Sequence, residues 1–380
     1  MVPPTGGAAP LVPAYGEASL ADLPGSALAA LGIDGPPNTL GLAPARRVCV
    51  FLVDGLGERL LRAHAGLAPF LSAHLGRVLT AGFPATTATS LGTLGTGVPP
   101  GEHGMLGVQL AVPGEGRMLN CLRWTTTAGP DVDPETWQPA TTVYQRAEAA
   151  GVRPVYVGPA MFAGTGLTRA VHRGVHYVGA DGVDDRVEGV RQALRADRAY
   201  VVTYYGDLDL TGHRVGTDTP EWREQLAIVD RMAERIAEAL PGGSALYVTA
   251  DHGMVNVTDR VDVDLVPELR EGVAMLGGDA RARHLYTEPG AAGAVLETWR
   301  ERLAGRAWVL SRDEAIAAGW FGRVVRREWL GRIGDVVAVP YGDCGVIASR
   351  QEPFEAAMVG MHGSLTAEEQ YIPLVEVDTR

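Results

Sequence analysis

Six apolar residues in a row, Val48-Cys49-Val50-Phe51-Leu52-Val53, end on Asp54-Gly55. The run is too short for a buried helix and rich in β-branched side chains. It lacks the in-out alternation of a half-exposed strand, so it predicts a strand buried on both faces, as in a parallel sheet. Comparable runs return at Val152–Gly158, Ala199–Tyr205 and Ser244–Ala250. Between them lie stretches with helical patterning, among them Glu58–Leu75 and Pro220–Ala239. Strands alternating with helices predict an α/β fold whose sheet is covered on both faces. No repeat and no linker divides the chain, so residues 1–380 are expected to form one catalytic domain. Residues 1–44, rich in Pro, Gly and Ala, read as an irregular arm with a short helix near Ser26–Leu31. Residues 255–345 alternate less regularly and are expected to hold a small inserted subdomain.

In an open α/β sheet, ligands gather beyond the carboxyl ends of the strands. Asp54 follows the first run. Asp207-Leu208-Asp209-Leu210-Thr211-Gly212-His213 follows the run ending at Tyr205. Asp251-His252-Gly253-Met254 follows the one ending at Ala250, and Gly360-Met361-His362-Gly363 stands near the C-terminus. A single Asp after a strand is also a common helix N-cap, and a single buried His is usually structural. Asp-His pairs beside Gly on separate loops are harder to explain that way. Six oxygen and nitrogen donors suit two divalent ions with open positions for substrate, zinc by donor preference and manganese or iron as alternatives. A hydroxyl run, Thr86-Thr87-Ala88-Thr89-Ser90, leads into Leu91–Gly97. One hydroxyl there can cap a helix. A hydroxyl at a helix N-terminus beside a metal is also a candidate nucleophile.

The set resembles the alkaline phosphatase superfamily, and within it the nucleotide pyrophosphatase/phosphodiesterase branch. Pro84-Ala85-Thr86-Thr87 matches that branch's Pro-x-x-Thr, and Gly97-Val98-Pro99-Pro100-Gly101-Glu102-His103-Gly104 matches its next landmark. Asp209 to His213 fits Asp-x-x-Gly-His, Asp251 to Met254 fits Asp-His-Gly-Met, and His362 stands in Gly-x-His-Gly. The resemblance implies a three-layer α/β/α sandwich with a largely parallel central sheet. It implies one metal held by Asp209, His213 and His362. The other is held by Asp54, Asp251 and His252, with Thr87 as nucleophile and fourth ligand. It also implies a phospho-threonine intermediate and a phosphate-ester substrate such as a nucleotide. The branch usually carries Asn three residues after the nucleophile. This chain has Ser90, expected to contact a phosphoryl oxygen in its place.

Composition narrows the alternatives. All 33 basic residues are arginine, which excludes Schiff-base chemistry, a P-loop lysine and a protein-kinase site. A net charge of −12 argues against general nucleic-acid binding. No run is long enough to span a bilayer, so no membrane partner is expected. Met1–Gly7 shows no leader pattern, and three scattered cysteines suggest no disulfide framework, so a cytoplasmic location is expected. A phosphomonoesterase or mutase on the same scaffold needs a further cation for its dianionic substrate. Phe83–His103 contains none, leaving Arg169, Arg173 or Arg214 as sources. A sulfatase lacks its modified Cys or Ser signature here, and a phosphonate hydrolase stays open. A non-enzymatic metal-binding protein would have no use for the nucleophile. His103 reads as structural, and His284 as a residue that can approach substrate.

Overall fold

The computed structural model describes residues 9–379. Met1–Gly7 and the first part of the expected arm therefore lie outside the described residues. The rest of the arm carries a helix, α1 (Asp22–Ala30), which starts four residues earlier than expected and buries Leu23, Ala27 and Leu28. Among the described residues no helix is long and apolar enough to cross a membrane.

The central sheet has seven strands: β1 (Arg47–Val53), β2 (Leu75–Thr80), β3 (Arg153–Gly158), β4 (His176–Gly179), β5 (Ala199–Tyr205), β6 (Ser244–Thr249) and β7 (Tyr371–Thr379). Their order is β2-β7-β6-β1-β5-β3-β4. The five strands from β6 to β4 run parallel, and β7 pairs antiparallel with both β6 and β2. β1 lies at the centre, and from Val48 onward every one of its residues is buried. Its unbroken apolar run is what a strand flanked on both edges and covered on both faces requires.

The helical stretch expected over Glu58–Leu75 is instead two short helices, Glu58–Ala63 and Pro69–Ala73, followed directly by β2. Gly66 and Pro69 interrupt the backbone ladder, and the chain turns back into the sheet before the helical pattern is spent. Helix α2 (Thr87–Thr96) follows β2, and helix α3 (Asp207–Val215) follows β5. Helix α4 (Pro220–Glu238) opens with Pro220 at its first position, and the Thr219 side chain accepts from the Trp222 N–H. It buries Trp222, Leu226, Val229, Ala233 and Ile236, the three-and-four spacing of a single stripe, with Leu226, Val229 and Ile236 each worth about 1.5–3 kcal/mol of transfer free energy.

A second sheet of four antiparallel strands lies within residues 273–340: Val273–Asp279, Ala282–Thr287, Val336–Pro340 and Ala307–Ser311, in spatial order. It has a core of its own, including Leu276, Leu285, Trp299 and Val336. A small three-stranded sheet spans residues 109–126.

Candidate active site

Register brings the candidate residues together. β1 pairs Val53 with Tyr205 on one side and Leu52 with Thr249 on the other. The three strands therefore end level, and their next residues emerge side by side: Asp54, Gly206 with helix α3, and Asp251-His252. Asp54 is no helix cap, because the helix that follows begins at Glu58 with Gly57 in the cap position. Two motif glycines are explained by close packing. A Cβ on Gly253 would lie 1.9 Å from the Glu368 carbonyl oxygen, and one on Gly212 would lie 2.3 Å from Met254 Sδ.

The three histidines share one arrangement. His213 Nδ1 lies 2.7 Å from the Gly360 carbonyl oxygen, His252 Nδ1 3.0 Å from that of Gly253, and His362 Nδ1 2.8 Å from that of Ala85. A carbonyl can only accept, so each Nδ1 carries a proton and each ring turns its Nε2 toward the site. These Nε2 atoms converge with the carboxylates. His252 Nε2 is 3.3 Å from Asp54 Oδ1 and 3.3 Å from Asp251 Oδ2. His213 Nε2 is 3.1 Å from Asp209 Oδ2, and His362 Nε2 is 3.3 Å from His213 Nε2 and 3.7 Å from Asp209 Oδ1. Ligand-type atoms of Asp54, Asp251 and His252 lie within 4.8 Å of one another, as do those of Asp209, His252 and His362. His252 thus stands between two groups of donors.

The carboxylates are held by one oxygen and leave the other without a donor. Asp251 Oδ1 accepts from the N–H groups of Gly55 and His252, and Asp54 Oδ2 from the Tyr204 hydroxyl. Asp54 Oδ1, Asp209 Oδ1 and Asp251 Oδ2 are buried and unpartnered. Burial, and then repulsion from Asp251 and Asp209, pushes Asp54 well above the usual carboxylate range. Burial raises Asp251 as well. Burial also works against the charged form of Asp209, but His213 outweighs it and holds Asp209 below the ordinary value. In turn Asp209, acting against burial, lifts His213 to about 9. Three carboxylates gathered with so little compensation fit a site for divalent cations, and mixed oxygen and imidazole donors fit zinc-type ions.

Thr87 is the first residue of α2, and its Oγ1 lies 3.3 Å from His252 Nε2. Thr86 occupies the cap position without a side-chain cap bond. It is fully buried and donates to Thr89 Oγ1 at 3.1 Å. Ser90 departs from expectation. It is one turn into the helix, fully buried, and donates to the backbone carbonyl oxygen of Asp251 at 2.8 Å. Its only proton is committed there, so it ties the helix to the Asp251-His252 loop rather than facing a phosphoryl oxygen.

Asp54, Thr87, Asp209, His213 and His362 line a cleft of 590 Å³ whose wall also includes Asn120, Arg123, Arg186, Tyr204 and Asp279. A side chamber of 470 Å³ opens beside Thr87, lined by Leu91, Tyr156, Leu167 and His172. The arginines on the cleft wall are not those expected. Arg169 faces Asp133 and Glu135, and Arg173 donates to the carbonyls of Gln138, Ala140 and Ala170. Arg214 is exposed at the end of α3 and is not part of the wall. His103 is buried between Thr93 and the Met105 N–H, a structural role. His284 does not approach the site, being buried against the Leu106 carbonyl and the Gly334 N–H. Tyr204, Arg123, Arg186 and Asp279 went unnoticed in the sequence. Tyr204 and Asp279 stand at strand ends, the one signal that could have marked them.

A family model described as type I phosphodiesterase / nucleotide pyrophosphatase matches residues 48–365. Phosphopentomutase of Anaeromyxobacter dehalogenans is 34% identical over 158 residues, 40% of this chain and 39% of that protein. Ectonucleotide pyrophosphatase/phosphodiesterase family member 7 of Homo sapiens is 39% identical over 75 residues, 18% of this chain and 16% of the relative. The chain thus matches no more than about two-fifths of the length of these curated relatives. Among solved structures, murine ectonucleotide pyrophosphatase/phosphodiesterase 5, an inactive variant in complex with AMP, superposes with TM-score 0.69 at 19% identity, covering 87% of each chain. Phosphonoacetate hydrolase from Sinorhizobium meliloti, in complex with phosphonoformate, gives TM-score 0.65 at 20% identity, covering 87% of this chain and 90% of that one. At these identities the likeness is one of fold: an α/β architecture on a mixed, mostly parallel central sheet of the alkaline-phosphatase type.

Proposed function

For a chain that belongs to the type I phosphodiesterase / nucleotide pyrophosphatase family, we propose hydrolysis of phosphoric diesters, nucleotide-type esters among them, through a phospho-threonine on Thr87. Asp209, His213 and His362 would hold one divalent cation, and Asp54, Asp251 and His252 the other, zinc by donor preference. When bound, the two ions supply the positive charge that lowers the Thr87 hydroxyl's pKa and stabilises the phosphoryl and leaving oxygens. The observation that carries this reading is the convergence of three imidazole Nε2 atoms and three unpaired carboxylate oxygens beside Thr87 Oγ1.

Thr87 attacks phosphorus in line, the bond to the leaving oxygen breaks, and the alcohol departs toward the Asp209–His213–His362 end. Water entering from that end attacks the phospho-threonine, releases phosphate ester and restores the hydroxyl. The first-turn N–H groups of α2, which no side chain caps, orient a non-bridging oxygen. Tyr204 fixes Asp54, and Ser90 fixes the loop that bears Asp251 and His252. Residues 255–345 act in this reading as an insertion into one catalytic domain, serving the same site. Three buried, unpaired cysteines accord with a cytoplasmic location.

One observation favours a second reading, the monoesterase or mutase type: Arg123 and Arg186 line the cleft and offer cationic charge. Paired assays of p-nitrophenyl phosphate and a p-nitrophenyl nucleotide diester, at equal pH and metal loading, decide between them. We expect kcat/KM to favour the diester. A tenfold monoester preference, about 1.4 kcal/mol of transition-state binding, overturns the diesterase reading.

A further inference from the structure

Among the described residues, four buried carboxylate oxygens have no hydrogen-bond donor: Asp54 Oδ1, Asp209 Oδ1, Asp251 Oδ2 and Asp279 Oδ2. Three of them belong to the proposed ligand set. The fourth falls in neither group of converging ligand atoms. Yet Asp279 lines the same cleft as Asp209, His213 and His362.

The residue comes from the second sheet, at the end of the strand Val273–Asp279, where the chain turns into Ala282–Thr287. Its Oδ1 accepts from the N–H groups of Arg281 at 2.8 Å and Ala282 at 3.1 Å, so the carboxylate is fixed. The backbone beside His362 makes room for it, since a Cβ on Gly363 would lie 2.6 Å from Asp279 Oδ1. The nearby arginines make their ion pairs and hydrogen bonds with other groups, although Arg186 and Arg283 each keep one Nη1 without an acceptor. Arg281 and Arg283 turn to Glu369 and Glu352, Arg123 faces Glu355 at 3.9 Å, and Arg186 donates to the carbonyls of Ala180 and Asp181. Burial pushes Asp279 up to about 7, so above that pH it stands as a carboxylate with one oxygen bound by backbone and the other, lacking a donor, able to accept from an O–H or N–H.

We infer that Asp279 is a specificity-determining residue whose Oδ2 accepts a hydrogen bond from a donor on the substrate, at the Asp209–His213–His362 end of the cleft. The substrate class that fits is a phosphodiester with one arm carrying a hydroxyl or ammonium group a few bonds from its ester oxygen. This rests on the diesterase reading above, with the second sheet acting as the part that selects the arm.

The test uses three methyl phosphodiesters whose other arm, the leaving alcohol, is propyl, 3-hydroxypropyl or 3-aminopropyl, with kcat/KM read at pH 8 from release of that alcohol. The parent protein should show kcat/KM at least tenfold higher for the hydroxyl or the amino arm than for propyl. In Asp279→Asn the side-chain carbonyl still serves the two backbone N–H groups, and an amide NH2 replaces the acceptor. The aminopropyl-to-propyl ratio should fall to one or below, with bound metal per chain unchanged. A parent with no donor preference, a ratio that survives in the variant, or a fall in bound metal overturns the inference. Calorimetric titration of Thr87→Ala, with and without Asp279→Asn, using propylphosphonate and 3-aminopropylphosphonate, reads the same ratio without turnover. If no diester is hydrolysed, the diesterase reading fails, while the phosphonate titration still decides the role of Asp279.

Discussion

Two clusters of buried charge lie within the chain, and they are built on opposite terms. In the first, Arg281 and Glu369 are fully buried and make a two-point pair, with Arg281 Nε 3.1 Å from Glu369 Oε1. The neighbouring Arg283 and Glu352 meet at 2.8 Å. Glu369 also accepts from the Ser364 N–H and the Thr366 hydroxyl. In the second, Asp54, Asp209 and Asp251 crowd together with free oxygens and no arginine partner. A buried charge taken out of water needs a partner nearly as strong as the water it left. The first cluster finds that partner within the chain and so is structural. The second does so only at Asp209, through His213, and the cations proposed to bind there would supply the rest.

The sharpest way to break this comparison is at the nucleophile. Thr87→Ala should lower kcat/KM by about a thousandfold or more, with the melting temperature nearly unchanged, because the hydroxyl supports chemistry and not the fold. Thr87→Ser should recover part of the loss. If Thr86→Ala is the damaging change, the nucleophile is one residue away from where it is placed here. A second cut targets the matched cluster. Arg283→Met keeps bulk but leaves Glu352 buried without its cation, and should cost about 3 kcal/mol in urea unfolding while metal per chain stays constant. A large loss of bound metal would show that the two clusters are not separable.

Ser90→Ala sharpens the boundary between them. If Ser90 only ties α2 to the Asp251 carbonyl, kcat/KM should fall less than tenfold, with about 1–2 kcal/mol lost in stability. A hundredfold fall in kcat alone would restore the phosphoryl contact that the geometry denies it. The smallest effect concerns Asp54→Asn in metal-free protein. Burial raises the folded pKa of Asp54, so the unfolded chain binds fewer protons there than the folded one. Its contribution to stability is therefore lost as pH rises above the ordinary carboxylate range. The metal-free variant should melt a few degrees above the metal-free parent, and the gap should widen from pH 5 to pH 8, read by calorimetry. A gap that narrows over that range would show that the carboxylates do not strain the empty centre.

Much of this was legible because parallel sheets leave a simple trace. Buried strands read as unbroken apolar runs, and the fold places whatever follows them on one edge, so Asp54, Asp209, His213, Asp251 and His252 could be gathered before any coordinates. His362 needed its Gly-x-His-Gly context. What failed has local causes. Gly66 and Pro69 split an expected helix, since a helical pattern does not report where the backbone ladder breaks. Ser90 was assigned by position relative to Thr87, and its direction depends on a helix packing against a loop from the far half of the chain. Arg123 and Arg186 were invisible because neither strand ends nor motif spacing mark them, and Asp279 because the strand it ends lies in the irregularly alternating stretch 255–345, outside the parallel sheet. They reach the cleft only through the placement of other elements around the central sheet.

The bond from His362 Nδ1 to the Ala85 carbonyl has a partner: the Ala85 N–H donates to the Gly363 carbonyl oxygen at 3.0 Å. Two residues before the proposed nucleophile, the chain is therefore clamped at two points to the loop bearing His362. The centre cannot be assembled in parts. Its donors run from residue 54 to residue 362, so an unfolded or half-made chain presents only scattered Asp and His to a metal ion. Affinity for the proposed ions would then belong to the finished fold alone, and their supply would favour that fold over the unfolded chain.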